Sequence, residues 1–143
     1  MTECIFCRIV KGVAPASIVY SDAQVLAFMD ILPVNPGHVL IVPKVHAAQL
    51  SVLSEETGAQ MLRAAMRISK GLRRSSIKCE GVILLLADGE VAGQEVPHVH
   101  LHVIPRYAGD GFGMKFGSRY GSKPDRKELD KVASEIVVDL MSE

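Results

Sequence analysis

The stretch Pro97-His98-Val99-His100-Leu101-His102-Val103-Ile104-Pro105 places three of the chain's five histidines on alternate positions of an apolar run bracketed by two prolines. Side chains alternate across a β-strand, so His98, His100 and His102 share one face and Val99, Leu101 and Val103 the other. The apolar set is expected to face the core, leaving the histidines to line a surface or cleft. One histidine at such a place is ordinary, but three in strict alternation mark a function. Two chemistries stay open at this point. Neutral imidazole nitrogens can ligate a metal, or one histidine can act as a nucleophile held in its tautomer by its neighbours.

Outward from this stretch, Gly81-Val-Ile-Leu-Leu-Leu-Ala87 reads as a buried strand, joined to the histidine strand by the glycine-rich turn from Asp88 to Glu95. Residues from Ile18 to about Asp30 read as a hairpin with its turn at Ser21 and Asp22, and 38–43 as a central strand ended by Pro43. Ser54 is placed as an N-cap, with Glu55 and Glu56 in the first turn of a helix. Its apolar face is read as Met61, Leu62, Ala65, Ile68 and Leu72, with Lys70, Arg73 and Arg74 near its end. Residues 106–124 read as a glycine-rich, locally basic loop, and Pro124 as the opening of a C-terminal helix through about Met141. The expected fold class is α+β, an antiparallel sheet of about five strands with one long and one C-terminal helix. A chain of 143 residues, 48% apolar and 22% charged, suits one domain spanning 1–143.

Sixteen basic residues balance sixteen acidic ones, so no global positive field exists to hold nucleic acid or an anionic membrane. A small ligand is the better expectation. No apolar run reaches the roughly 18 residues that span a bilayer, and the first ten residues do not read as a signal peptide, so a cytoplasmic location is expected. Three cysteines, Cys4, Cys7 and Cys79, do not suggest a disulfide framework. Metal ligands or free thiols remain.

The sequence resembles the histidine triad family of nucleotide hydrolases and transferases. His-Val-His-Leu-His-Val-Ile (98–104) fits the family signature of histidines alternating with apolar residues, and similarity extends over roughly 3–46 and 81–113. The resemblance implies that His100, the middle histidine, attacks the α-phosphorus of a nucleotide to give a nucleotidyl-histidine that water then hydrolyses. No divalent metal is required for that chemistry. His98, His102, His38 and Gln94 would supply neighbouring hydrogen bonds. Asp30 corresponds to the residue that accepts from the ribose hydroxyls, and Phe6, Phe28 and Ile31 to an apolar slot for the base. Tolerance between adenine and guanine is therefore expected.

Two positions depart from the family pattern. Ala87 stands where an asparagine or other amide is usual, a loss worth about 1–3 kcal/mol of transition-state stabilisation. Glu95 stands where serine or threonine is common, and could either position the leaving group or face solvent. Some members bind structural Zn²⁺ at positions matching Cys4, Cys7, His46 and His98. The resemblance favours a purine nucleoside phosphoramidate hydrolase acting on AMP- or GMP-like substrates, and implies a homodimer. A dinucleoside polyphosphate hydrolase is the alternative, kept open by Lys115, Arg119 and Lys123. A non-catalytic nucleotide-binding module is another, and a metalloenzyme using the three histidines as ligands is a third.

Overall fold

The computed structural model describes residues 3–141, which divide into two units, one ending at Gly111 and one beginning at Phe112. The first unit is built on a five-stranded antiparallel sheet of order β1-β2-β3-β5-β4, with β1 Ile18–Ser21, β2 Val25–Met29, β3 Val39–Pro43, β4 Gly81–Leu85 and β5 Leu101–Arg106. The α+β class and antiparallel sheet expected from the sequence are present.

All five residues of β3 are buried, because it lies mid-sheet with a helix on each side. Residue parity decides which helix each residue meets. Val25, Ala27, Val39, Ile41, Val99 and Val103 pack with Met61, Ala64, Ala65 and Leu72 of helix α2, Glu55–Arg74. Leu26, Phe28, Leu40 and Val42 pack instead with Phe6 and Ile9 of a short helix α1, Ile5–Val10. Helix α2 is capped by the Ser54 hydroxyl, which accepts from Thr57 N at 3.1 Å. Leu62, read from the sequence as part of its apolar face, is 51% exposed, and Ala64 occupies the buried position instead.

Helix α1 is an addition to the elements expected from the sequence, although Phe6, Ile9 and Val10 carry the spacing of an apolar helical face. Its presence changes the histidine face. His102 pairs with Leu40, whose side chain is on the α1 side of the sheet, and stays half-buried while the other two triad histidines are covered. His98 and His100 are buried. Strand β5 is also shorter than expected, since its ladder begins at Leu101. Val99 N bonds to Ala47 O and the His98 ring reaches Pro43 O at the end of β3, so this segment is held by the end of β3 and the residues after it without ladder pairs.

In the second unit, helix α3 runs Arg126–Leu140. Its cap is Asp125, whose side chain accepts from Glu128 N at 2.8 Å, so Pro124 precedes the cap instead of opening the helix. Among the described residues no helix is long and apolar enough to cross a membrane.

Candidate active site and candidate metal centre

The segment ahead of β5 turns the His100 ring so that its Nδ1 lies 2.8 Å from the carbonyl oxygen of His98. A carbonyl only accepts, so Nδ1 carries the proton and Nε2 is left with a lone pair, an assignment made from the hydrogen-bond network. The edges of Phe6 and His102 enclose the ring at centroid distances of 5.2 and 5.0 Å.

His102 is held by a second histidine. His38 enters β3 from the loop 30–38, is buried, and accepts at Nδ1 from Val34 N at 3.0 Å. The amide can only donate, so the proton of neutral His38 resides on Nε2. That nitrogen is 2.9 Å from His102 Nδ1, which must accept, and the remaining His102 proton is therefore on Nε2. Asp30 Oδ2 lies 3.4 Å from His38 Nε2, and Asp30 Oδ1 accepts from Leu32 N at 2.9 Å. Burial pushes His102 down to about 4, helped by His100 and His38. Burial likewise lowers His38, with Asp30 opposing it. Both rings are neutral at pH 7, which the tautomer assignment requires.

A different cluster forms where α1 meets the turn after β3. Cys4 Sγ and Cys7 Sγ lie 3.5 and 3.6 Å from His98 Nδ1, Cys7 Sγ lies 3.3 Å from His46 Nδ1, and the two Nδ1 atoms are 3.1 Å apart. His98 Nε2 is 2.8 Å from Pro43 O, so its proton is directed to that carbonyl and its Nδ1 lone pair faces the sulfurs. Burial lowers the His98 pKa and keeps the ring neutral. The four ligand atoms lie within 4.8 Å of one another. Asp30, His38 and His102 also converge within that distance. There the Val34 amide forces the His38 proton onto the inward nitrogen, which leaves it no lone pair for a metal.

The remaining sequence-predicted residues are arranged as follows. Phe6 and Phe28 are buried and pack edge to face at 5.5 Å, whereas Ile31 is 91% exposed. Gln94 donates through Nε2 to Ala48 O and Val96 O, at 2.8 and 2.9 Å, and accepts at Oε1 from Gly89 N at 2.7 Å. Its amide thus holds the 88–96 turn in shape, with both amide hydrogens directed at backbone carbonyls. Glu95 is exposed on a cleft of about 560 Å³ that Glu90, Gln94 and Pro97 also line. A second, more apolar cleft of about 410 Å³ between the first two strands and α2 touches none of these residues. Sequence reading missed the roles of Val34 and Asn35, whose contributions are made by backbone amides and by contacts across the fold.

Residues 11–109 match the family model described as the HIT domain. The adenosine 5′-monophosphoramidase hnt1 of Schizosaccharomyces pombe is 40% identical over 115 residues, 80% of this chain and 82% of that protein. A crystal structure of a HIT family member from Bacillus subtilis has a TM-score of 0.86 and 36% identity, covering 95% of this chain and 96% of its own. A Zn-bound histidine triad family protein from Mycobacterium smegmatis has a TM-score of 0.74 and 37% identity, covering 97% and 96%.

Proposed function

Because this chain belongs to the HIT family of nucleotide-binding hydrolases, we propose that it hydrolyses purine nucleoside phosphoramidates through a nucleotidyl-histidine intermediate. The observation that carries this reading is the 2.8 Å contact from His100 Nδ1 to the His98 carbonyl, because it leaves a lone pair on Nε2. Nε2 attacks the α-phosphorus, the phosphorus–nitrogen bond to the leaving amine breaks, and the amine departs with a proton taken from solvent, which the attacking water of the second step gives back. Water then attacks the same phosphorus, the bond to Nε2 breaks, and AMP or GMP is released with the imidazole restored. His102, carrying its proton on Nε2, donates to the phosphoryl group as charge develops. His38 holds that proton arrangement, and His98 positions His100 through its carbonyl. Asp30 accepts from the ribose hydroxyls, while Phe6, Phe28 and Ile31 form the slot for the base. Gln94 shapes the turn beside the leaving group, and Glu95 lies on the cleft that receives it.

Cys4, Cys7, His46 and His98 would hold Zn²⁺. With Zn–N near 2.0–2.1 Å and Zn–S near 2.3 Å, a tetrahedral site has N–N edges of about 3.3 Å and N–S edges of about 3.6 Å. The observed separations of 3.1 to 3.6 Å suit that set. Zinc bound there supplies a structural crosslink and takes no part in the reaction. Such a site needs reduced thiols, which supports a cytoplasmic location. A homodimer is part of the same proposal, supported by the exposed Leu84 and Leu85 on edge strand β4.

The test is AMP release from adenosine 5′-phosphoramidate and from diadenosine tetraphosphate by wild type and His100→Ala. Release by wild type from the phosphoramidate, reduced at least about 10³-fold in the variant, is expected. Preference for the tetraphosphate would move the substrate class to dinucleoside polyphosphates. Equal, negligible release by both proteins, with AMP still bound, would instead identify a nucleotide-binding module, a reading that Ala87 and the engaged Gln94 amide favour.

A further inference from the structure

A buried polar network lies outside the residues assigned to the reaction. Asn35 is 4% exposed, and its Nδ2 donates to Pro105 O and to Asp110 Oδ2, each at 2.9 Å. The Asp110 side chain is 3% exposed and receives Arg106 through Nε at 2.5 Å and Nη2 at 2.8 Å. Pro105 lies in β5 beyond the three pairs that join it to β3. Asn35 thus bonds a strand carbonyl that no β3 residue reaches.

This network holds the loop that leads into His38. Asn35 O accepts from His38 N at 3.1 Å, and Val34, the residue before Asn35, gives its amide to His38 Nδ1. Gly37 closes the same loop against Leu72, Ile77 and Pro105 with φ +97°. The path runs from the Arg106–Asp110 pair through Asn35 to the Val34 amide. From there it passes through the two histidine rings to the proton on His102 Nε2.

We propose that Asp110, acting through Asn35, is a positioning residue that sets the direction of the His38–His102 proton arrangement. If the loop shifts so that the Val34 amide leaves His38 Nδ1, His38 can carry its proton there. Its Nε2 then accepts from His102 Nδ1, and His102 presents a lone pair where it had presented a donor. The histidines remain in place while the polarity of the pair reverses, which removes the hydrogen bond to the developing phosphoryl charge. The inference rests on the hydrolase reading for its effect on rate, but not for its effect on the histidines.

The test uses the full chain and two variants. In Asp110→Asn, an amide replaces a carboxylate that accepts from Asn35, from two Arg106 nitrogens and from the Tyr107 amide, and Asn35→Ala removes the link while leaving the Arg106–Asp110 pair intact. Two-bond proton–nitrogen spectra of the histidine rings report the tautomers, and turnover of adenosine 5′-phosphoramidate reports the consequence. Wild type is expected to show the Nε2-protonated form for both His38 and His102. Each folded variant is expected to show a mixture, with kcat lowered about tenfold and KM within about twofold. The double variant should be no worse than the poorer single one. Unchanged tautomers in a folded variant would overturn the proposal whether or not the rate falls. A tautomer change in a protein whose wild type releases no AMP would uphold the positioning role and sink the hydrolase reading instead.

Discussion

Two groups of histidines lie on one face of the same sheet, and both gather their nitrogens within 4.8 Å. Around Cys4, Cys7, His46 and His98, the carbonyl of Pro43 takes the outer proton of His98 and leaves a lone pair facing inward. Around Asp30, His38 and His102, the amide of Val34 takes the outer lone pair of His38 and leaves a proton facing inward. One backbone acceptor makes a site suited to a cation, and one backbone donor makes a site suited to holding a proton. The chemistry of each group is decided by which end of a peptide group one of its rings meets, His98 a carbonyl and His38 an amide.

The sharpest way to break this contrast is to measure metal. Protein prepared with zinc is expected to hold about one equivalent per chain, and the double variant Cys4→Ser, Cys7→Ser none, with melting lowered by at least about 10 °C. His38→Gln should leave the metal content unchanged. Metal retained without the thiols but lost with His38 would reverse the assignment of the two groups.

Gly37→Ala tests the scaffold of the proton-holding group. A Cβ there would meet Ile77 Cγ2 at 2.8 Å and Pro105 Cγ at 3.2 Å on a backbone with φ +97°. The expected cost is about 1–3 kcal/mol in denaturant unfolding, with metal content unaffected. A stability equal to that of wild type would show that the loop is looser than its packing indicates.

Acid separates the groups further. His102 titrates at about 4 in the folded chain and near 6.5 when unfolded, and His38 is lowered in the same direction. Between those values the unfolded chain binds more protons than the folded one, so stability is full above about pH 6.5 and declines as pH falls toward 4. The difference in stability between wild type and His102→Gln, followed by denaturation across that range, should carry this dependence. A difference independent of pH would mean that His102 is not held neutral by its surroundings.

The smallest effect is expected at Ile31. It is 91% exposed, so Ile31→Ser should change stability by no more than about 0.5 kcal/mol while raising KM for the nucleotide. An unchanged KM would remove Ile31 from the base slot and leave that role to the two phenylalanines.

Much of the fold was legible because its signals are local. The run 39–43 is apolar at every position and became the central strand, and Ser54 with Glu55 and Glu56 marked the start of α2. Helix α1 is hard to see in the sequence because CIFCRIV is short and its paired cysteines signal a metal as readily as a helix. The triad is legible from alternation, but the burial of His98 and His100 is not, since it depends on Phe6 of α1 arriving from far away in the chain. The family resemblance implies Gln94 as a donor to phosphate, yet its amide meets the carbonyls of Ala48 and Val96, contacts that only the folded turn creates.

By itself, the sequence determined the family, the strand pattern, the shared face of His98, His100 and His102, and the candidate ligands Cys4, Cys7 and His46. These are matters of residue type and period, which a linear chain carries. The tertiary structure alone decided which nitrogen of His98, His100, His38 and, through His38, His102 holds a proton, because that depends on the Pro43 carbonyl, the His98 carbonyl and the Val34 amide. Apart from the missing N–H of proline, peptide groups are alike along a sequence. Only folding aims them.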